Sequence, residues 1–143
     1  MRIALVGYGK MGRMIESLAP EYGAEIVLRL DEFNNAGGTM MTAEHFSGVD
    51  VAIEFTMPEA AVGNIRQLAA LGVNTVVGTT GWLERLPEVT RLAEQAGIGL
   101  VWSPNYSIGV NLFFETLREL ASRMEAFPEY GAWAWEIHHA AKK

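Results

Sequence analysis

The chain of 143 residues contains no cysteine, and it has neither a long hydrophobic run nor an excess of basic residues. Without cysteine, the sequence excludes disulfides and thiolate metal ligands. No apolar run approaches the roughly 18 residues that a membrane-spanning helix needs, so no membrane partner is expected. Acidic residues outnumber basic ones by 17 to 11, giving a net charge of -6 without any basic block. This balance argues against nucleic acid as the main partner.

What is present indicates a folded globular chain. Half of the residues are hydrophobic, a share that disordered segments do not reach. The length suits one domain with a core of its own. The apolar N-terminal segment is interrupted by glycines and a lysine too early for a secretory signal. We therefore expect a soluble, cytoplasmic protein.

Strand and helix patterns alternate along the chain. Apolar runs predict strands at residues 2–7, 25–30, 49–56, 73–78 and 98–102. Helical spacing of apolar residues predicts helices near residues 11–18, 58–71, 87–97 and 107–127. The predicted apolar faces of the first, second and last of these helices are Met11, Met14, Ile15 and Leu18; Val62, Ile65, Leu68 and Ala69; and Val110, Phe113, Phe114, Leu117, Leu120, Ala121 and Met124. Residues 31–48 are predicted to form a long loop with one turn of helix, and residues 132–138 a sixth extended segment. The alternation predicts an α/β fold, a doubly wound parallel sheet with helices on both faces.

The segment "LVGYGKMG" follows the first predicted strand and opens the first helix, with Gly7, Gly9 and Gly12 in G-x-G-x-x-G spacing. One glycine permits a tight turn, one lets a pyrophosphate approach the backbone, and one lets helix and strand pack closely. Asp31 ends the second strand, 19 residues after Gly12 (31 − 12), where a carboxylate would bind the adenosine ribose. The pattern predicts a Rossmann-like domain that binds a nicotinamide dinucleotide.

The residues around Asp31 bear on which dinucleotide is bound. A 2′-phosphate would meet two negative charges, on Asp31 and Glu32, and no arginine follows them. Arg29 lies two residues earlier and would offset part of this repulsion. The sequence therefore favours NAD(H), with NADP(H) as the alternative.

Two further loops are predicted at the carboxyl ends of strands, where an open α/β sheet binds its ligand. Each loop alone is equally consistent with an ordinary turn, because Gly, Pro, Asn and Ser favour turns in any case. Together with the glycine loop, they describe one crevice. Their candidate cofactor-binding residues are Gly78, Thr79 and Thr80 after the fourth strand, and Ser103, Pro104, Asn105 and Tyr106 after the fifth.

Five segments in this order, "GYGKMGRM", "DVAIEFTMPEA", "VVGTTGW", "SPNYSIGVNLF" and "WEIHHAAKK", resemble the 4-hydroxy-tetrahydrodipicolinate reductase (dihydrodipicolinate reductase) family of diaminopimelate and lysine biosynthesis. The resemblance covers essentially the whole chain. It implies an oxidoreductase that transfers a hydride from NAD(P)H to a cyclic unsaturated dicarboxylate, giving tetrahydrodipicolinate. It also implies a homo-oligomer and a small dicarboxylate as substrate.

The resemblance assigns roles to individual residues. It implies that His138 does acid/base work, that Lys142 is the proton donor and that His139 binds substrate. It also implies that the whole glycine loop contacts the cofactor: Gly7, Tyr8, Gly9, Lys10, Met11 and Gly12. The residue types suit the chemistry, because hydride addition builds negative charge that a cation quenches by giving up a proton.

The sequence departs from the family's pattern at its C-terminus. In the family, the lysine motif continues into a "P-S-G-T" stretch and a second domain that carries the oligomer interface. We therefore predict a dinucleotide-binding domain over residues 1–127 and the beginning of a truncated substrate-binding domain over residues 128–143. We also expect NADH binding to survive better than turnover.

Other readings of the sequence stay open. The chain is alternatively a catalytically incomplete dinucleotide-binding module, or another NAD(P)-dependent enzyme such as an aspartate, homoserine or diaminopimelate dehydrogenase. The terminal "HHAAKK" is also consistent with a solvated basic tail. A metal site is not expected, because the adjacent His138 and His139 would face opposite sides of a strand.

Overall fold

The computed structural model describes residues 1–135 and residue 137. Met1–Asn105 forms one compact unit and Tyr106–Lys143 a second. The strands, all in the first unit, are β1 (Arg2–Val6), β2 (Glu25–Leu30), β3 (Val51–Glu54), β4 (Asn74–Val77) and β5 (Leu100–Trp102). The helices are α1 (Lys10–Leu18), α2 (Pro58–Ala70) and α3 (Leu86–Ala96) in the first unit and α4 (Ile108–Met124) in the second.

The five strands form one parallel sheet in the order β2-β1-β3-β4-β5. The chain leaves β1 through α1 to reach β2 on one side, and then returns to pair β3 on the other side of β1. The strand order thus reverses beside β1, and all carboxyl ends lie at one edge of the sheet. This topology confirms the predicted Rossmann-like α/β fold.

The core lies on both faces of β1. Ile3 and Leu5 pack on one face and Ala4 and Val6 on the other, so β1 is apolar at every central position, as expected for a buried parallel strand. In α2 the predicted face, Val62, Ile65, Leu68 and Ala69, is buried. Full burial of one such large side chain stabilises the fold by about 1.5–3 kcal/mol.

The segment between β2 and β3 is a loop with a single 3₁₀ turn at Ala36–Gly38, as predicted. Two of its side chains, Met41 and Phe46, are nevertheless buried in the cluster with Val6 and Leu30. The loop thereby packs in the same core cluster as Leu68 of α2.

The buried face of α1 differs from the predicted stripe of apolar residues. Met11, Met14 and Leu18 are exposed, whereas Gly12 is buried and Ile15 packs on the cluster beneath. Gly12 and Ile15 are three positions apart and share one side of the helix, and Gly12 must face inwards for α1 to approach the glycine turn. The inward face is therefore set by the glycine and not by the methionines.

The second unit also departs from expectation. The face of α4 predicted to be buried is exposed at Phe113, Leu117 and Leu120 in this chain. Residues 132–135 form neither helix nor strand, so no strand occurs in this part of the extended segment predicted over residues 132–138, and residues 136 and 138 lie outside the described residues. An extended segment becomes a strand only when its backbone pairs with another strand, and no ladder includes these residues.

The predicted domain boundary after residue 127 stays a prediction. Among the described residues, no helix is both long and apolar enough to cross a membrane.

Candidate functional site

A cleft of about 650 Å³ lies where the strand order reverses, at the carboxyl ends of β1, β2 and β3. Four residues predicted to bind the cofactor line it, namely Gly7, Tyr8, Gly9 and Asp31. The other lining residues come from the end of β1, from α1, from the end of β2 and the loop after it, from the loop after β3 and from the first two turns of α2: Val6, Arg13, Leu30, Glu32, Phe33, Asn35, Phe55, Thr56, Met57, Ala60 and Asn64.

The three glycines of the loop have different surroundings. Gly7 has a φ of +101°, its N–H donates to the Leu30 carbonyl at 2.8 Å, and a Cβ there would overlap the Phe55 carbonyl. A Cβ at Gly12 would overlap the carbonyl oxygen of Gly7. At Gly9 a Cβ would meet nothing within 4 Å. The first and third glycines therefore permit close packing, and the second leaves backbone open to a ligand.

The amino end of α1 follows this open backbone. Gly9 is the N-cap, no side chain caps the helix, and its first turn carries no acidic residue. The first N–H groups of a helix lack intrahelical partners and lie at its positive end. Lys10 and Met11 form this turn and are exposed, although they do not line the cleft. The arrangement suits a negatively charged ligand.

Asp31 is held in place by its own loop. Its Oδ1 accepts hydrogen bonds from the N–H groups of Phe33 and Asn34, each at 2.9 Å, and the Asn34 Oδ1 accepts from the Asp31 N–H at 2.9 Å. The Asn34 amide also donates to the Arg29 carbonyl at 3.0 Å. These bonds engage one carboxylate oxygen, so Oδ2 is the oxygen that a ribose hydroxyl would meet.

An ion-pair cluster joins α1, β2 and the glycine loop. The Glu16 Oε1 accepts from Arg29 Nε at 2.7 Å and from Arg29 Nη2, and its Oε2 accepts from the Tyr8 hydroxyl. The hydrogen bonds from Arg29 and Tyr8 lower the pKa of Glu16, and the bond to Glu16 raises the pKa of Tyr8. The Arg13 guanidinium lies 5.6 Å from the centre of the Tyr8 ring. No pattern in the sequence predicts this cluster.

A second network that the sequence analysis missed surrounds Glu54, which is completely buried at the end of β3. Its Oε1 accepts from the Thr56 hydroxyl and from the Asn64 amide, the latter at 3.2 Å, while its Oε2 is buried without a hydrogen-bond partner in the described part of the chain. Thr56 and Asn64 both line the cleft. The sequence signal for this network is the acid in the apolar run "VDVAIEFT". Strand alternation places Glu54 on the same face of β3 as the buried Ala52.

The predicted loop after β4 is tied to the loop after β3. The Thr79 Oγ1 accepts from the Thr56 N–H at 2.7 Å, and the Thr79 carbonyl accepts from Trp82 Nε1 at 2.7 Å. Gly78 faces the Phe55 ring so closely that a Cβ would overlap it. Thr80 is exposed. This loop therefore lies beside the cleft, although its residues are not part of the lining.

The loop after β5 begins with Ser103, whose N–H donates to the Val77 carbonyl at 3.3 Å. Its hydroxyl contacts the Asn105 backbone, at 2.6 Å to the carbonyl oxygen and 3.2 Å to the nitrogen. Pro104 and Asn105 are exposed, and Tyr106 begins the second unit.

The predicted catalytic and substrate-binding residues, His138, His139 and Lys142, lie outside the described residues. Within the described part, no group of three or more His, Asp or Glu side chains could hold a metal ion.

The chain is similar in sequence to one family of known proteins. Residues 1–106 match the family described as dihydrodipicolinate reductase, N-terminus. The 4-hydroxy-tetrahydrodipicolinate reductase of Christiangramia forsetii is 35% identical over 142 residues, covering 99% of this chain and 57% of that protein. The same enzyme from Methanococcus aeolicus is 36% identical over 131 residues, covering 87% of this chain and 46% of its own length.

Solved structures agree with this result. The dipicolinate-bound dihydrodipicolinate reductase of Paenisporosarcina sp. TG-14 has a TM-score of 0.65 at 26% identity, covering 89% of this chain and 54% of that one. Biliverdin reductase from Synechocystis, with a TM-score of 0.54 at 14% identity and 71% and 37% coverage, shares the fold. The chain spans about half the length of the curated relatives it matches. By the match over residues 1–106, the chain belongs to the dihydrodipicolinate reductase family.

Proposed function

We propose that this chain binds a nicotinamide dinucleotide in the cleft and supplies the cofactor-binding half of a 4-hydroxy-tetrahydrodipicolinate reductase. The observation that carries the proposal is the cleft itself, which combines open backbone at Gly9, an uncapped helix end and Asp31 where the strand order reverses. In parallel α/β sheets this is the place where dinucleotides bind.

The residues fit the cofactor part by part. The pyrophosphate would lie over Gly9, against the first N–H groups of α1, where the helix dipole favours negative charge. The adenosine ribose would donate its hydroxyls to Oδ2 of Asp31. The nicotinamide end would then extend towards the loops after β4 and β5, which carry the remaining predicted contacts: Gly78, Thr79, Thr80, Ser103, Pro104, Asn105 and Tyr106.

The charges near the ribose favour NAD(H) over NADP(H). A 2′-phosphate would meet the carboxylates of Asp31 and Glu32, both of which line the cleft. Arg29 is a nearby cation that would offset this repulsion, and two of its three guanidinium nitrogens, Nε and Nη2, donate to Glu16. Like charges brought together at a binding site weaken binding.

For the chemistry, the bound cofactor supplies the hydride that adds to the unsaturated ring of the substrate. His138 would exchange a proton, Lys142 would donate the proton that quenches the developing negative charge, and His139 would hold the substrate. The substrate is a cyclic dicarboxylate, and the active assembly is a homo-oligomer, as the family implies. The name of the solved relative from Paenisporosarcina, which has dipicolinate bound, supports this substrate class.

Two measurements test the proposal. Titration with NADH, followed by its fluorescence, should give saturable binding, and a folded protein without NADH affinity would refute the cofactor assignment. The loss of NADH absorbance after adding freshly generated substrate then reports turnover. Lys142→Ala should abolish any turnover, whereas Lys143→Ala, the matched change at the neighbouring lysine, should retain it. NADH binding without turnover would identify the chain as a binding module, the second candidate function.

A further inference from the structure

We propose that Glu16 is a positioning residue that sets the preference between NAD(H) and NADP(H), because it holds Arg29 away from the adenosine ribose. The inference rests on the proposed function, since it concerns the dinucleotide in the same cleft. Glu16 does not line the cleft and belongs to neither the glycine loop nor the β2 end, so it would act through its partners.

Both carboxylate oxygens of Glu16 accept hydrogen bonds. Arg29 donates to Oε1 through Nε, at 2.7 Å, and through Nη2, and the Tyr8 hydroxyl donates to Oε2. Hydrogen bonds between charged groups are about twice as strong as neutral ones. The guanidinium is thereby directed towards α1, on which Glu16 lies. The lowered pKa of Glu16, caused chiefly by Arg29, is consistent with a carboxylate that stays charged at neutral pH.

The cluster borders the adenosine end of the cleft. Tyr8 lines the cleft and also bonds to Glu16. Arg29 lies at the end of β2 and precedes Asp31 by two residues. The Arg29 carbonyl is bonded to Asn34 of the loop that holds Asp31. A guanidinium released from Glu16 would therefore have the ribose of a bound dinucleotide within its range of motion.

The local charges explain why this release would matter. Near the ribose lie the anions Asp31 and Glu32, and the cation Arg13, which stands over the Tyr8 ring. Arginine is well suited to bind phosphate, since it presents several donors in one plane. While Arg29 remains paired with Glu16, a 2′-phosphate meets the two acids without this cation. A dinucleotide without that phosphate does not depend on Arg29.

The test is a comparison of Kd for NADPH and NADH in the complete chain, measured by fluorescence titration at low and at moderate salt. Glu16→Ala keeps a good helix former in α1 and removes both acceptors. We expect the Kd ratio of NADPH to NADH to fall by roughly tenfold, equivalent to about 1.4 kcal/mol. The gain should shrink as salt rises. Effects common to both nucleotides, including a small shift of Tyr8, cancel in the ratio.

Two further variants separate the mechanism from a plain charge effect. Glu88→Ala is the matched control, because Glu88 is likewise a helical glutamate with arginine partners, Arg66 and Arg85, and none of the three lines the cleft. It should leave the ratio unchanged. In the background of Arg29→Ala, adding Glu16→Ala should give no gain.

Each outcome bears on the proposal. An unchanged ratio in Glu16→Ala, with NADH still bound, would overturn this inference and leave the proposed function intact. A gain that persists without Arg29, or that Glu88→Ala reproduces, would also overturn it, because net charge would then be the cause. Failure of the unmodified protein to bind either nucleotide would instead refute the proposed function.

Discussion

Single alanine substitutions at the three loop glycines should separate ligand binding from folding. Gly9→Ala should fold normally and lose at least tenfold in NADH affinity, because its new methyl group would project into open space where the pyrophosphate is proposed to lie. Gly7→Ala and Gly12→Ala should instead destabilise the fold. The contrast follows from what a Cβ would meet at each position.

The expected costs can be worked out from the structure. At Gly7 the Cβ would lie 2.5 Å from the Phe55 carbonyl carbon and 3.0 Å from Thr56 Cγ2, with φ at +101°. Backbone strain and overpacking together cost about 2–5 kcal/mol. At Gly12 the overlap with the Gly7 carbonyl costs about 1–3 kcal/mol, which the higher helix propensity of alanine offsets by about 1 kcal/mol. At Gly9 the only cost is the poorer N-cap, about 1 kcal/mol or less.

Urea unfolding measures the stability of each variant, and NADH fluorescence titration measures its affinity. Gly63→Ala is the control, because a Cβ at that position in α2 also meets nothing within 4 Å and Gly63 is not part of the cleft lining. It should keep NADH affinity and gain about 0.5–1 kcal/mol in stability. A folded Gly9→Ala protein that binds NADH within about twofold of the original affinity would refute the placement of the pyrophosphate.

Three further predictions follow from the described contacts. Glu54→Ala should cost about 1–3 kcal/mol in urea unfolding because it removes the acceptor shared by the half-buried Thr56 hydroxyl and Asn64 amide, and Glu54→Gln should cost less because it keeps an acceptor; equal losses would contradict this explanation. The raised pKa of Tyr8 means that its contribution to stability is complete below about pH 10 and is lost as pH rises through the folded-state value. The stability advantage over Tyr8→Phe should therefore shrink in alkaline urea titrations, and a constant advantage would exclude this linkage. Ile65→Ala, at a fully buried position, should cost about 2–5 kcal/mol in the same assay, and a loss below 1 kcal/mol would show that the site collapses around the change.

The parts of the fold that the sequence predicts well are those with a local cause. Leu5 and Val6 belong to a run that is apolar at every position, which is what burial on both faces of a parallel sheet requires. The buried side of α2 follows helical spacing at Ile65 and Leu68. The face of α1 was predicted incorrectly because its apolar residues were assumed to face inwards, whereas close packing onto the turn selects Gly12.

The site divides in the same way. The glycine spacing and the acid that ends β2 are features of one strand-turn-helix unit and the strand that follows it. The sequence alone therefore predicts that Gly9 and Asp31 lie at the cleft. The hydrogen-bond networks of Glu54 and Glu16 join residues on different strands and helices. No periodic pattern in the sequence predicts which of these residues pair. Arg29 illustrates the difference, because sequence position suggests a cation available to a phosphate, whereas its contacts commit it to Glu16.

The location of the cleft predicts that cofactor binding and turnover are separable properties of this chain. Every residue that lines it lies between Val6 and Asn64, within the first compact unit. The groups proposed to exchange protons, His138 and Lys142, lie more than seventy positions further along the sequence. The adenosine and pyrophosphate contacts therefore depend only on β1, β2, β3 and the adjoining helices. A measured NADH affinity would report chiefly on these contacts, and hydride transfer would additionally require the terminal residues to meet the nicotinamide.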